Sequence, residues 1–260
     1  MELLKKMRFL NGNTLKLIAA LFMFIDHFGM IYYPESSTIY WVFRALGRLS
    51  MPLFAFAIAE GCRYTRNKVK HFFMLFILGV LCQIVYYIFD PNTLYFGILF
   101  TFSFAILCIY ALQYFKKQIF DNNAKIPKKI LAGFLFIFSI SATFTFCYFF
   151  QVDYGFWGCM MPVFASLFDF HRIPAPHELK KLDVLPLKVI CLEIALLLLI
   201  CTNNSPLSSV APYALLTLPI LLLYNGEKGK VHKWFFDFYY PTHRYLIAVV
   251  EFIYLTVQSM

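Results

Sequence analysis

Apolar positions along the chain gather into nine runs, at about 15–33, 39–61, 71–89, 94–115, 130–150, 154–170, 185–201, 209–224 and 234–257, divided by short polar stretches. A helix rises about 1.5 Å per residue, so a run of about 20 apolar residues crosses a hydrocarbon layer of about 30 Å. The pattern predicts an all-α fold: a polytopic integral membrane helical bundle of about nine transmembrane helices (range eight to ten), forming one transmembrane domain over 1–260. The remaining loops are too short for a separate catalytic or DNA-binding domain, so any activity belongs among the helices or at their ends. Pro52, Pro162, Pro212, Pro219 and Pro241 fall inside the runs, where each kinks or breaks a helix and neighbours must satisfy the freed carbonyls. The first run starts only after residue 14, lacks a small-residue cleavage site and exceeds a signal-peptide core, which predicts that it is retained. No internal repeat is apparent.

Composition agrees and adds a direction. The chain is 61% hydrophobic and 14% charged, against about a quarter charged for soluble domains, yet its formal net charge is +9. Twenty of the 23 Lys and Arg residues fall on every second connection: Lys5, Lys6, Arg8 and Lys16; Arg63, Arg66, Lys68 and Lys70; Lys116, Lys117, Lys125, Lys128 and Lys129; Arg172, Lys180, Lys181 and Lys188; Lys228, Lys230 and Lys233. The alternate connections hold Glu35, Asp90 and Asp153 and no Lys or Arg. The positive-inside bias then predicts a multi-pass protein of the cell (cytoplasmic) membrane with a cytoplasmic N-terminus and an external C-terminus. Membrane lipid is the expected partner; the basic excess no longer argues for nucleic acid. Seven cysteines show neither CxxC nor metal-ligand spacing, so they read as packing residues and no metal is expected.

Arg44, Arg48 and Arg244 remain, all within predicted spans, where a charged group costs at least about 2.5–3.5 kcal/mol at mid-membrane and is a functional-site candidate. His27 and His243 are the two histidines at membrane depth, joined by Asp26, Glu60, Glu193, Asp237, Glu251 and the neutral Gln83. Glu193, Asp237 and Glu251 fit structural roles near helix ends. His27 lies about 18 Å along the first helix from Leu15, and Arg48 about 13 Å below the outer surface, so both reach one level in the outer half of the membrane. Arg44 and Arg48, four apart, share a helical face. Lys16 and His27, eleven apart, also share one, with the lysine at the cytoplasmic mouth and the imidazole deep above it. Asp26 points about 100° away from His27 and is not expected to orient its ring. A neutral imidazole flanked by guanidinium groups suits general-base activation of a hydroxyl or amine, with a cation near the developing oxyanion. The competing reading is a buried ion-pair network that only fixes helix packing. P-loop, GxSxG and GxGxxG patterns are absent.

The stretch LKLIAALFMFIDHFG at 15–29, with RALGRLSMPLFAFAIAEGCRYTRN at 44–67, resembles the TraX family, whose namesake acetylates the pilin of F-type conjugative pili. NTLYFGILFTF at 92–102, DYGFWG at 153–158, LPILLLYNGEKG at 218–229 and FYYPTHRYLI at 238–247 follow in the family's order. The resemblance implies acetyl transfer from acetyl-CoA, and a distant likeness to membrane O-acyltransferases of surface polysaccharides and to the lysosomal heparan-glucosaminide acetyltransferase. Those families place a basic or polar residue, ten positions and an essential histidine in the first helix, a spacing that Lys16 and His27 reproduce. On this resemblance His27, Arg48, Arg44, Asp26 and Glu60 are the catalytic candidates. Lys16, Arg63, Arg66, Tyr240 and His243 would hold the acyl donor; Gln83, Asp153, Tyr154 and Asn225 would meet the acceptor. Nine spans are fewer than the ten or more usual in the larger relatives, and the extra soluble domain that some of them carry is not expected here.

The leading expectation is therefore a membrane acetyltransferase carrying acetyl groups from cytoplasmic acetyl-CoA to an amine or hydroxyl at the outer face. The acceptor stays open among a peptide N-terminus, a glycan and a small molecule, as does homo-oligomerisation. The alternative is a transporter or proton-coupled carrier using His27, Arg44, Arg48 and Glu60, and a third class is an assembly scaffold that needs none of the intramembrane charges.

Overall fold

A computed structural model describes residues 8–89, 95–202 and 209–230, together with Tyr239, Thr242 and Thr256. It divides into two compact units, 1–54 with 204–260, and 55–203. The expected span at 234–257 lies outside the described residues apart from those three positions.

In the first unit, α1 (Gly12–Tyr32) starts where the Asn11 side chain accepts the Thr14 N–H at 2.9 Å. Its next open donors are met by main chain from a distant loop: Gly12 N–H reaches the Glu227 carbonyl at 2.7 Å and Asn13 N–H that of Lys228 at 2.9 Å. Leu10 and Tyr224 form a parallel bridge beside this clasp. Ser37 caps α2 (Thr38–Gly47) by accepting the Tyr40 N–H. α1 and α2 approach through glycines: a Cβ on Gly29 would strike the Phe43 side chain at its Cβ, and one on Gly47 would strike the Asp26 carboxylate. α3 (Ser50–Tyr64) contributes its first turn here. Pro212 and Pro219 cannot donate, and the expected span over 209–224 is a 3₁₀ segment, Ala211–Leu216, followed by the six-residue α4 (Thr217–Leu222, last in the chain).

The second unit holds the rest of α3 and then α5 (Lys68–Phe89), β1 (Tyr95–Phe96), α6 (Ile98–Phe120), α7 (Ile126–Phe149), β2 (Gln151–Val152), α8 (Gly155–Ala165), α9 (His177–Lys180) and α10 (Leu185–Thr202). α6 is its axis, packed against α5, α7 and α8, with Ala105, Ile106, Cys108 and Ile109 at zero exposure. β1 and β2 are a two-residue parallel pair, Tyr95 opposite Gln151 and Phe96 opposite Val152. α8 stops at Ala165, well short of the expected 170. Pro162 sits in its last turn, and Ser166 folds both its N–H and its hydroxyl back on the Pro162 carbonyl. The segment 166–184, containing only the short α9, then lies against the ends of its neighbours.

Among the described residues, five helices are long and apolar enough to cross a membrane: Gly12–Tyr32, Thr38–Tyr64 taken as one, Ile98–Phe120, Ile126–Phe149 and Leu185–Thr202. α8 and the 3₁₀–α4 segment are apolar but short. Of the five long helices, α7 exposes Ile130, Phe134, Ile137 and Phe144 while burying only Ala132 and Thr143, a face that suits hydrocarbon, and α5 carries a similar exposed stripe of Val69, Phe73, Ile77, Leu81 and Ile84. The protein is thus a helical membrane protein, with fewer full-length spans on view than the nine the apolar runs predict.

Candidate active site

Asp26, on the buried face of α1, meets the end of α2. Arg44 Nη1 lies 2.8 Å from its Oδ2, and Arg48 Nη2 donates to both carboxylate oxygens at 3.0 and 3.1 Å. Arg48 also donates through Nε to the Arg44 carbonyl at 3.3 Å, so the residue that ends α2 is held from two sides. The missing Cβ of Gly47 makes room for the carboxylate, which explains why Gly47 stands beside Arg48 in the sequence. All three charged side chains are nearly closed to solvent, at 12% exposure or less. Two guanidinium groups share one carboxylate, so the trio carries one net positive charge. Arg44 Nε is buried without a hydrogen-bond partner, and the Arg44 guanidinium lies 5.9 Å from the Tyr40 ring centre. An excess guanidinium charge in a poorly solvated place is suited to stabilising an oxyanion.

His27 follows Asp26 but faces elsewhere, as its helical position requires. Its Nδ1 is 2.8 Å from the Met23 carbonyl. A carbonyl only accepts, so Nδ1 carries the hydrogen, and in the neutral ring Nε2 is left with its lone pair. That is the tautomer a general base needs. Lower on α1, the Tyr239 hydroxyl donates to the Ala20 carbonyl at 2.7 Å, and Ser50 Oγ to that of Ala19 at 2.8 Å. Ala20 lies seven residues before His27, on nearly the same face of α1. Tyr239 escaped the sequence reading, although its place beside Tyr240 in the FYYPTH string was a usable signal. Lys16 sits half-buried one turn into α1. Asn225 is in the clasp at the start of α1: its N–H donates to the Leu10 carbonyl at 2.8 Å and its side chain bonds Glu227.

The second unit gathers a separate ionic cluster. Arg63 Nη1 bridges Asp169 Oδ1 at 2.7 Å and Asp183 Oδ1 at 2.6 Å. Lys188 reaches Asp183 at 2.8 Å and Glu60 at 3.6 Å. Lys116 is buried, with Nζ donating to the carbonyls of Ser166, Leu167 and Asp169. Lys116 and Lys188 read in the sequence as topology charges. Their burial depends on carbonyls and carboxylates supplied by the 166–184 segment, and nothing in the local sequence of either lysine marks it. Asp183 is half-buried, which alone would raise its carboxyl, but hydrogen bonds from Arg63 and Lys188 prevail and hold it below the ordinary range. His171 is held below the ordinary histidine value by burial and by the charges of Arg63 and Arg172, against the pull of Asp169 and Asp183.

The structure therefore brings together Asp26, Arg44 and Arg48, with His27 and Lys16 on the same helix as Asp26. Glu60 and Arg63 belong to the ionic cluster of the second unit, and Arg66 is exposed at the end of α3. Gln83 is half-buried on α5. Asp153 accepts the Tyr95 hydroxyl at 2.6 Å, its carbonyl accepts from Thr101, and Tyr154 adopts a left-handed conformation (φ 59°) to start α8. Tyr240 and His243 lie outside the described residues. No group of three or more His, Cys, Asp and Glu side chains that could hold a metal occurs among the described residues.

The sequence model of the family described as TraX protein matches residues 11–251. The chain is 26% identical over 255 residues to a Dichelobacter nodosus protein described as "Probable fimbrial assembly protein FimC, serogroup H1", covering 92% of this chain and 94% of that one. No solved structure matches.

Proposed function

The chain belongs to the TraX protein family, and from that premise we propose that it is a membrane acetyltransferase of the cytoplasmic membrane, moving acetyl groups from cytoplasmic acetyl-CoA to an amine or hydroxyl on the extracytoplasmic side. The observation that carries this reading is the His27 imidazole, whose Nδ1–H is tied to the Met23 carbonyl so that Nε2 can accept a proton. Nε2 takes the proton of the acceptor as its nitrogen or oxygen bonds to the acetyl carbonyl carbon. The C–S bond then breaks, and the departing CoA sulfur takes that proton back from the imidazolium. The excess positive charge of Arg44 and Arg48 stabilises the intervening oxyanion, with Asp26 holding their forks in place. Those groups fit the chemistry of a thioester donor, and Lys16, at the basic end of α1, is suited to its phosphates. A protein amine is the acceptor we favour, since the similar D. nodosus protein is described as a probable fimbrial assembly protein.

The test uses the purified full chain in detergent with radiolabelled acetyl-CoA and peptides bearing a free or a blocked amino terminus. Label should pass to the free-amine peptide and fall by about 100-fold or more in His27→Ala, the usual contribution of a general base. Full transfer by that variant would overturn the mechanism. Acetyl-CoA-independent, pH-gradient-driven flux in proteoliposomes, without any transfer, would favour a carrier instead.

A further inference from the structure

Two of the seven cysteines, twelve residues apart in sequence, meet where α7 and α8 turn over. Cys147 Sγ and Cys159 Sγ are 3.9 Å apart, both as free thiols. Cys147 is half-buried two residues before the end of α7, and Cys159 is fully buried in the first turns of α8. Between them lie β2 and the Asp153–Tyr154 turn. A disulfide needs the sulfurs about 2.05 Å apart, a closure of roughly 1.9 Å that lies within the reach of side-chain rotation. This end of the second unit also carries Asp153 and no Lys or Arg in its 150–154 connection, the pattern of an external loop. External compartments are the ones in which disulfides persist.

We propose that Cys147 and Cys159 are a thiol–disulfide exchange site that takes a disulfide oxidant and closes to a bond pinning the end of α7 to the start of α8. The half-buried Cys147 reacts first. Its thiolate attacks one sulfur of the oxidant RSSR, forming a mixed disulfide and releasing RS⁻. The Cys159 thiolate then attacks Cys147 Sγ, forming the internal bond and releasing the second RS⁻. The two protons lost by the cysteines go to the released thiolates, and the oxidant gains the two electrons. Cys108 is the competing third thiol: it is fully buried on α6, with its Sγ 3.4 Å from Thr143 Oγ1, one turn below Cys147. The closed bond would hold β2 in register against β1 and fix the Asp153–Tyr154 turn.

The experiment treats the purified full chain with oxidised glutathione, blocks remaining thiols with N-ethylmaleimide and maps chymotryptic peptides by mass spectrometry. Trypsin is unsuitable because no Lys or Arg separates the two cysteines. The expected product is one internal bond joining Cys147 to Cys159, two hydrogens lighter and reversed by dithiothreitol. Cys147→Ser should give no adduct at Cys159, and Cys159→Ser should stop at glutathione on Cys147. A Cys147–Cys108 bond, glutathione persisting on Cys147 in the unmutated chain, or both thiols blocked by maleimide at every oxidant concentration would each overturn the proposal. None of these readouts depends on acetyl transfer.

Discussion

At Gly47 a single methyl group decides whether Asp26 and its two arginines can coexist. A Cβ there would occupy the space of the Asp26 carboxylate, and displacing that carboxylate leaves Arg44 and Arg48 buried without their counter-charge. Gly61, on α3, offers a control: its Cβ would meet the His71 ring at 3.6 Å, an ordinary contact. Gly47→Ala should therefore lose about 1–3 kcal/mol from overpacking, or more if the ion pairs part, and most acetyl transfer with it. Gly61→Ala should match the parent or gain up to about 1 kcal/mol from its lower unfolded-state entropy. Thermal unfolding in detergent checks both. Equal stabilities would show that Gly47 is not the contact point. Much at this scale was legible. Helical spacing separated Asp26 from His27, and the structure gives the two residues different partners. Charge sign and depth singled out Arg44 and Arg48. What stayed hidden was pairing across the chain, because Arg63 and Lys188 look the same at a helix end whether they meet water or Asp183.

The elements differ in what holds them. α1 is tied at its start by main-chain bonds from the 225–228 turn, whereas the 166–184 segment is held by charges: Arg63, Lys188 and Lys116 face Asp169, Asp183 and its carbonyls, with Glu60 on Lys188 and Arg172 and the Tyr64 ring beside His171. Such a segment should respond to pH. His171 has a folded value below 6.5, so the unfolded chain binds more protons; its contribution is fully present above 6.5 and declines as pH falls through 6.5 towards the folded value. Asp183, held below 3.8, keeps its contribution until pH falls below 3.8 and loses it towards its folded value. Amide-exchange protection factors over 169–183 should fall between about pH 7.5 and about pH 5.5, and His171→Asn should flatten that change. A profile identical in parent and variant would remove His171 from the account. Apolar runs located the helices but not their breaks. Residues 39–61 read as one span, and Thr38–Tyr64 is long and apolar enough to be one, but its helix is interrupted at Arg48–Leu49 between α2 and α3, where Asp26 meets the end of α2. α8 ends early for a reason the sequence does contain, Pro162 followed by a serine that folds back on it, although hydrophobicity alone carries the run on to 170.

For the molecule as a whole, composition already announced a membrane protein. Which faces meet lipid requires the packing, since α6 and α7 are similarly apolar and yet one is the axis of the second unit and the other lies at its edge. α7 makes the sharper test of the membrane reading. Ile137 sits near its middle at 65% exposure, and Ile126 begins it at 73%. In water, a lysine at either exposed position would change stability by only about 0.5 kcal/mol. In a bilayer the two positions should separate. Ile137→Lys places a charge near the hydrocarbon centre at a cost of about 2.5–3.5 kcal/mol, whereas Ile126→Lys reaches the interface beside Lys125, Lys128 and Lys129. The yield of membrane-inserted, monodisperse protein should thus fall severalfold for Ile137→Lys and stay near the parent's for Ile126→Lys. Equal yields would mean that the exposed face of α7 is not turned to lipid, and that another protein surface or water covers it.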